Sequence, residues 1–157
     1  MRRIVYLLPA LFWFGPAGAE SGIVVKGTPT IIDGDSIELS GKRLQLYGID
    51  SPENGDACQR VDGQYLDCGS IARSALLDLT AGVDVVCQMV DSVPSGAMTA
   101  TCDAAGYSLN RNMIYTGWAV VDRSVTENFI EVEAEAKREQ RGLWRFRLEA
   151  PPWPESD

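Results

Sequence analysis

The sequence predicts an α+β fold that is mainly β, a five-stranded Greek-key barrel of the oligonucleotide/oligosaccharide-binding type with about three helices. Two observations favour it. Short β-type segments separated by turn signals fill the first half of the chain, and helical patterns stand after the third strand and at the end. The chain has 157 residues, of which 45% are apolar, so it can build one ordinary globular core.

The N-terminal segment, residues 1–19, has the layout of a secretory signal peptide. Two arginines precede an apolar run over residues 4–14, and the small residues AGA follow. The run is too short to span a bilayer. We therefore expect cleavage after residue 19 and a single secreted or periplasmic domain over residues 20–157, with a proline-rich tail over 150–157. The alternative is a buried N-terminal strand or helix.

The first half of the mature chain predicts a meander of short antiparallel strands. The strands are expected where β-type residues lie between turn signals, at residues 23–26, 30–32, 36–39 and 42–49. A helix is predicted over residues 70–79, because apolar residues recur there at helical spacing. That stripe consists of Ala72, Ala75, Leu76 and Leu79.

The second half predicts a hairpin, two helices and one more strand. The hairpin joins residues 83–87 to 97–102 across a turn at 92–96. A short helix over 110–116 and a strand over 118–121 follow. The last helix is expected to begin at the capping box formed by Ser124 and Glu127 and to stop at Gly142.

The four cysteines predict two disulfides, because an oxidising compartment favours them and the count is even. Three pairings are open by arithmetic. A hairpin centred between Pro94 and Ser95 places Cys87 opposite Cys102, at a spacing that suits a disulfide. Cys58 and Cys68 then close a polar loop. A free catalytic thiol is the alternative, and nothing in the sequence supplies its usual imidazole partner.

Composition excludes several kinds of function. The chain contains no histidine, which rules out Ser-His-Asp hydrolysis, Cys-His nucleophiles and His-ligated zinc from its own side chains. Its 14 basic and 22 acidic residues give a net charge of −8. An acidic chain lacks the clustered Lys and Arg that hold nucleic acid by phosphate neutralisation.

Four stretches resemble the staphylococcal nuclease (thermonuclease-like) family in order and spacing. They are IIDGDS at 31–36, LQLYGIDSPE at 44–53, SLN at 108–110 with GWA at 117–119, and EA through GLW between 133 and 144. The resemblance runs over residues 22–144, and the double motif DGDS with GIDSPE is its specific part. It implies the barrel fold and calcium-dependent hydrolysis of phosphodiesters in DNA or RNA.

The resemblance also implies a site. Asp35 and Asp50, with the backbone carbonyl of Ser51, match the calcium ligands, and oxygen ligands suit a hard cation such as Ca²⁺. Glu53 matches the carboxylate that orients or deprotonates the attacking water. The alternative for the DGD segment is an ordinary hairpin turn.

Both phosphate-binding arginine positions of the family depart from its pattern. They are Gln45, five residues before Asp50, and Ala97. A missing guanidinium predicts activity at least about 10³-fold below that of a complete family member. Arg43 lies two residues before Gln45, so it faces the same side of a strand about 6–7 Å away, where it can lean into the site as a catalytic residue. The alternative is a solvated side chain or a carboxylate partner.

Three functions therefore stay open. The first is an attenuated nuclease that uses Ca²⁺ and binds single-stranded DNA or RNA weakly. The second is a non-catalytic envelope module that binds a protein, a glycan or a small ligand. The third is a structural calcium-binding domain. A monomer without a membrane span is the expectation for all three.

Overall fold

The computed structural model describes residues 22–60, 62–90 and 98–146. The predicted signal peptide, the tail over 150–157 and Ala97 lie outside the described residues. The strands are β1 (Val24–Gly27), β2 (Thr30–Ile31), β3 (Ser36–Leu39), β4 (Lys42–Leu46), β5 (Ile49–Asp50), β6 (Ala57–Gln59), β7 (Tyr65–Asp67), β8 (Val85–Val90), β9 (Thr99–Ala104), β10 (Tyr107–Ser108) and β11 (Val120–Val121). The helices are α1 (Cys68–Thr80), α2 (Leu109–Thr116) and α3 (Ile130–Arg138), and a 3₁₀ helix spans Gly142–Phe146.

Seven of these strands form one mixed sheet. Their order is β1-β8-β9-β4-β3-β2, and β10 pairs with β9. Strand β4 runs parallel to β9, whereas the other neighbours are antiparallel. The mainly β class with three helices is confirmed over the described residues. The strand order leaves β1 and β2 at opposite edges of this sheet, so the sheet is open between them. It also has more short strands than the five expected.

The β8–β9 hairpin has the predicted register. Cys87 lies opposite Cys102, and a disulfide joins them across a Cα–Cα distance of 4.1 Å. The second disulfide joins Cys58 in β6 to Cys68, the first residue of α1, at a Cα–Cα distance of 5.8 Å. Both predicted disulfides are therefore present. The segment between Cys58 and Cys68, expected to be a loop, is instead the β6–β7 hairpin.

Strand β4 has one buried and one open face. Leu44 and Leu46 are buried in the main apolar core, whereas Arg43 and Gln45 are exposed. Successive side chains of a strand point to opposite sides, which explains the alternation. Arg43 and Gln45 consequently share the outer face of β4, as the sequence predicts.

A buried amide fixes the end of β4. Asn110 has no exposed surface, and its Oδ1 accepts a hydrogen bond from the Cys102 N–H at 2.9 Å. Its Nδ2 donates to the carbonyls of Tyr47 and Ala100 at 2.9 and 3.2 Å. Buried polar groups are rarely left without partners, and this one side chain satisfies three backbone groups. Helix α2 is thereby tied to β9 and to the chain that leads into β5.

The strand predicted over 42–49 is broken in two. Strand β4 ends at Leu46, because Gly48 has a φ of 77° and turns the chain away from the sheet. The next two residues form β5, which pairs with β11 rather than with the main sheet. This break turns Asp50 and the residues after it away from the line of β4.

The predicted start of the last helix is wrong. The Asp122 carboxylate accepts hydrogen bonds from the N–H and the hydroxyl of Ser124, at 2.9 and 2.6 Å, so Ser124 belongs to a turn and caps no helix. Helix α3 begins only at Ile130. It ends at Arg138, before Gln140 adopts a φ of 52°, and Gly142 starts the 3₁₀ helix.

No helix among the described residues is long and apolar enough to cross a bilayer.

Candidate active site

The candidate active site is a cavity of about 340 Å³ beside the outer face of β4. It is bounded by the turn before β3, by β4, and by the chain from β5 onward. Its lining includes all five predicted metal-binding and catalytic residues, which are Asp35, Asp50, Ser51, Glu53 and Arg43. Four further residues line it: Asp33, Ser36, Gln45 and Met98.

Asp35 links the two halves of the motif. Its side chain is buried, and its Oδ2 accepts a hydrogen bond from the Ser51 N–H at 3.0 Å. Its Oδ1 accepts one from the Ser36 hydroxyl at 3.3 Å. The backbone carbonyl of Asp35 accepts from the Leu46 N–H at 2.7 Å. The DGD and GIDSPE segments are therefore held together by the carboxylate itself.

Gly34 allows this close approach. A Cβ at position 34 would lie 2.6 Å from Ser51 Oγ and 2.8 Å from Ala72 Cβ, closer than real contacts allow. The Asp33 carboxylate also accepts a hydrogen bond from the Asp35 N–H at 3.3 Å, which closes the turn. The DGD segment is thus a structural turn that also places a carboxylate in the cavity.

The carboxylates crowd one another. Burial raises the pKa of Asp35, and the hydrogen bond and negative charge of Asp33 and the charge of Asp50 raise it further. The Ser51 N–H lowers it, but the net pKa lies well above the ordinary value. Buried, mutually repelling carboxylates are stabilised in their charged form by a nearby cation.

The residues present fit a hard cation. Two carboxylates and a backbone carbonyl offer oxygen atoms of the kind that Ca²⁺ prefers, and Ca²⁺ completes its shell with water where protein ligands are few. Within the described ranges, no group of three carboxylate or cysteine side chains is arranged to hold a metal ion by itself. The donor set therefore suits an ion that takes its other ligands from the backbone and from water.

Arg43 lies at the rim of the cavity. Its Nη2 is 3.9 Å from Asp33 Oδ2, and 68% of its side chain is exposed. An ion pair this exposed contributes little to stability. The Arg43 guanidinium can therefore leave Asp33 and pair with another anion at little cost in free energy. Gln45 lines the cavity beside it, without a charge. The position expected for the second family arginine, Ala97, lies outside the described residues.

Two residues near the site were missed by the sequence analysis. Asp33 lines the cavity, and its place as the first residue of DGD was the available signal. Asp56 accepts a hydrogen bond from the Glu53 N–H at 3.0 Å, and its signal was an acidic residue three positions after Glu53. Asp56 lies outside the quoted motifs, and Asp33 lies inside one of them but is not among the ligands that the resemblance implies.

Comparison with known proteins gives one family match and several similar proteins. Residues 43–146 match the family model described as staphylococcal nuclease homologue. The chain is 35% identical over 152 residues to the succinoglycan biosynthesis protein ExoI of Rhizobium meliloti (strain 1021), covering 94% of this chain and 78% of that protein. It is 28% identical over 161 residues to an uncharacterized endonuclease of Escherichia coli O157:H7, covering 98% and 96%. A second uncharacterized endonuclease, from Escherichia coli, is 27% identical over the same shares.

The family match spans most of the described chain: it begins within β4 and includes the chain from β5 to Glu53 and all three helices. The DGD segment lies just before it and is joined to it by the hydrogen bond from Ser51 to Asp35. On these grounds the chain belongs to the staphylococcal nuclease family.

Proposed function

We propose that this protein is an attenuated, calcium-dependent nuclease that hydrolyses phosphodiesters of single-stranded DNA or RNA. One observation carries the proposal: a single cavity gathers Asp35, Asp50, Ser51 and Glu53, with the guanidinium of Arg43 at its rim. Two relatives named as endonucleases support the same reaction class.

The roles follow from the chemistry of phosphodiester cleavage, which needs an oriented water and neutralisation of charge on the phosphoryl oxygens. Asp35, Asp50 and the Ser51 carbonyl would hold Ca²⁺, which supplies positive charge close to the phosphate. The Glu53 carboxylate orients the attacking water and takes its proton. Arg43 donates charge-assisted hydrogen bonds to the phosphate oxygens.

The attenuation follows from Gln45. Its amide can donate hydrogen bonds but carries no positive charge, and a guanidinium at a developing phosphoryl charge is worth about 10³ to 10⁵ in rate in other phosphoryl-transfer enzymes. The net charge of −8 also repels a polyanion, so we expect weak binding that worsens at low salt.

The protein is proposed to act as a monomer. The two disulfides are typical of an oxidising compartment, which supports a secreted or periplasmic location.

The direct test is cleavage of single-stranded DNA and RNA by the oxidised protein, with calcium and with chelator. We expect slow cleavage that requires calcium and is lost in Glu53→Gln, because the amide cannot accept the proton of the water. Glu127→Gln removes the same charge from an exposed position outside the cavity and is the matched control. Equal rates in the wild type, in the Glu53→Gln variant and with chelator would refute the proposal.

Arg43→Gln tests the rim guanidinium. We expect this change to lower the calcium-dependent rate by about 10- to 100-fold, since a hydrogen bond to a charged group is worth about 1.5–3 kcal/mol. Lys42→Gln removes a positive charge from the neighbouring exposed position, whose side chain points to the other side of β4. A similar loss in both variants would mean that general charge, rather than contact with the phosphate, matters.

A non-catalytic envelope module is the second candidate, and the uncharged Gln45 favours it. One relative is named for the biosynthesis of a polysaccharide, which makes a glycan a reasonable ligand to test. Calcium-dependent thermal stabilisation without cleavage would instead support a structural calcium-binding domain. If calcium has no effect on stability and no cleavage is detected, the binding module is the remaining candidate.

A further inference from the structure

The backbone around Glu53 forms a closed turn with Asp56. The Glu53 N–H donates to Asp56 Oδ2 at 3.0 Å, and the Asp56 N–H donates back to the Glu53 carbonyl at 2.9 Å. These two hydrogen bonds fix the turn from both ends. The Glu53 side chain itself is exposed at the cavity, so its placement depends on how firmly its own backbone is held.

The first residues of α1 contact this turn. The Gly69 N–H donates to the Asp56 carbonyl at 3.1 Å. The Glu53 carbonyl lies so close to Gly69 that a Cβ at position 69 would overlap it. Asp67 caps the helix by accepting a hydrogen bond from the Ser70 N–H at 2.9 Å. The first turn of α1 is therefore capped and lies directly against the residues from Glu53 to Asp56.

A disulfide connects the same two segments covalently. Cys58 lies two residues after Asp56, and its partner Cys68 immediately precedes Gly69. Both cysteines are buried beside Leu143 in a small apolar cluster. The disulfide therefore closes the β6–β7 hairpin at the point where the turn meets the helix.

We propose that Asp56 is a positioning residue for Glu53, holding its backbone through the side-chain cap, and that the Cys58–Cys68 disulfide keeps the cap in place. This inference rests on the proposed function, because Glu53 is the group whose position matters there. Asp56 contacts no reacting atom in this role. A catalytic group displaced by about 1 Å can cost about 10² in rate, so a weak contact with the backbone has a large effect on the reaction.

Three variants test the inference by two measurements, amide hydrogen exchange and steady-state kinetics. Asp56→Ala removes the cap. Asp56→Asn keeps an acceptor oxygen for the Glu53 N–H without the charge. Asp62→Ala is the control, because it also removes a carboxylate that accepts a backbone hydrogen bond, here from the Gln64 N–H at 3.1 Å near the tip of the β6–β7 hairpin.

We expect Asp56→Ala to speed exchange of the Glu53 amide by about tenfold or more, and to lower kcat by about 10- to 100-fold with little change in KM. Asp56→Asn should restore slow exchange and recover most of the lost kcat. Asp62→Ala should speed exchange at Gln64 alone. A Cys58→Ala/Cys68→Ala double variant should speed exchange at Glu53 in the same direction as Asp56→Ala.

Exchange at Glu53 that is the same in Asp56→Ala as in Asp62→Ala would overturn the inference, and so would faster exchange with an unchanged kcat. A rescue failure in Asp56→Asn would mean that the charge, rather than the cap, is what matters. If the wild type cleaves no faster than Glu53→Gln, the proposed function fails, and the exchange data by themselves decide whether Asp56 holds the Glu53 backbone.

Discussion

Gln45→Arg is expected to raise the calcium-dependent cleavage rate by about 10³-fold, because it returns a guanidinium to the phosphate side of the cavity. The position is suited to it. Gln45 lies on the outer face of β4, opposite Ser36 on β3 and Thr99 on β9, and its side chain is exposed to the cavity. An arginine there would extend past the strand toward the carboxylates without displacing a core residue. The assay is initial-rate cleavage of single-stranded DNA with saturating calcium.

Two controls separate chemistry from charge. Gln45→Met has a similar volume and no charge, so it should give no gain. Gln88→Arg adds the same positive charge at an exposed position on β8, outside the cavity lining, and should raise the rate by at most a few-fold through weaker repulsion of the substrate. An unchanged rate in Gln45→Arg, alone or with Ala97→Arg, would contradict the claim that missing arginines cause the attenuation.

Glu133→Gln is expected to destabilise the fold by about 2–3 kcal/mol. Glu133 is 1% exposed, and its carboxylate accepts hydrogen bonds from Arg123 at 2.5 Å, from Lys137 at 2.8 Å and from the Val121 N–H at 3.0 Å. Removing one member of a buried ion pair costs about 3–5 kcal/mol. The loss here is smaller, because the cationic side chains are 52% and 44% exposed and can be resolvated. The melting temperature at pH 7 should be about 10 °C lower in the variant than in the wild type.

The same carboxylate makes this loss depend on pH. Burial raises the pKa of Glu133, but the hydrogen bonds from the two cations and the backbone N–H outweigh it, so the net pKa lies below its ordinary value. A lowered pKa in the folded state stabilises the fold above the ordinary glutamate pKa of about 4.3. That stabilisation declines as the pH falls from there through the folded-state pKa. The difference between wild type and variant should therefore be constant near neutrality and vanish in acid.

Glu135→Gln is the control for this prediction. Glu135 lies on the same helix as Glu133 and pairs with Arg141 at 3.0 Å. Glu135 is partly exposed, so loss of its charge should cost about 0–1 kcal/mol. Loss of Glu133 should also loosen the site, because Val121 belongs to β11, which pairs with the strand that carries Asp50. A pH-independent difference would contradict a charged Glu133 in the folded protein.

Much of the cavity lining could be predicted because its residues come from two short local motifs. Asp35, Asp50, Ser51 and Glu53 lie within 19 positions of one another, so their spacing carries the information directly. The side on which Arg43 stands follows from strand alternation alone. The register of Cys87 and Cys102 likewise follows from counting across one hairpin. These predictions needed no long-range contact.

The two failures have different physical causes. The helix predicted from Ser124 does not form there, because the Asp122 side chain captures the groups that a capping box would use. The strand predicted through residue 49 breaks at Gly48, and β5 then pairs with β11, which lies about 70 positions further along the chain. Local propensity is overridden by a neighbouring side chain in the first case and by a distant strand in the second.

By itself, then, the sequence determined the mainly β class, the disulfide pairing across the hairpin, and the motif that carries the carboxylates. The tertiary structure decided that these carboxylates share one cavity with Arg43, that Asn110 and Glu133 hold the strands around it, and that Asp56 and Gly69 brace Glu53. Motif spacing is local, so it can be read directly from the sequence. Burial and bracing depend on segments that meet only when the chain folds, and no local pattern records which ones will meet.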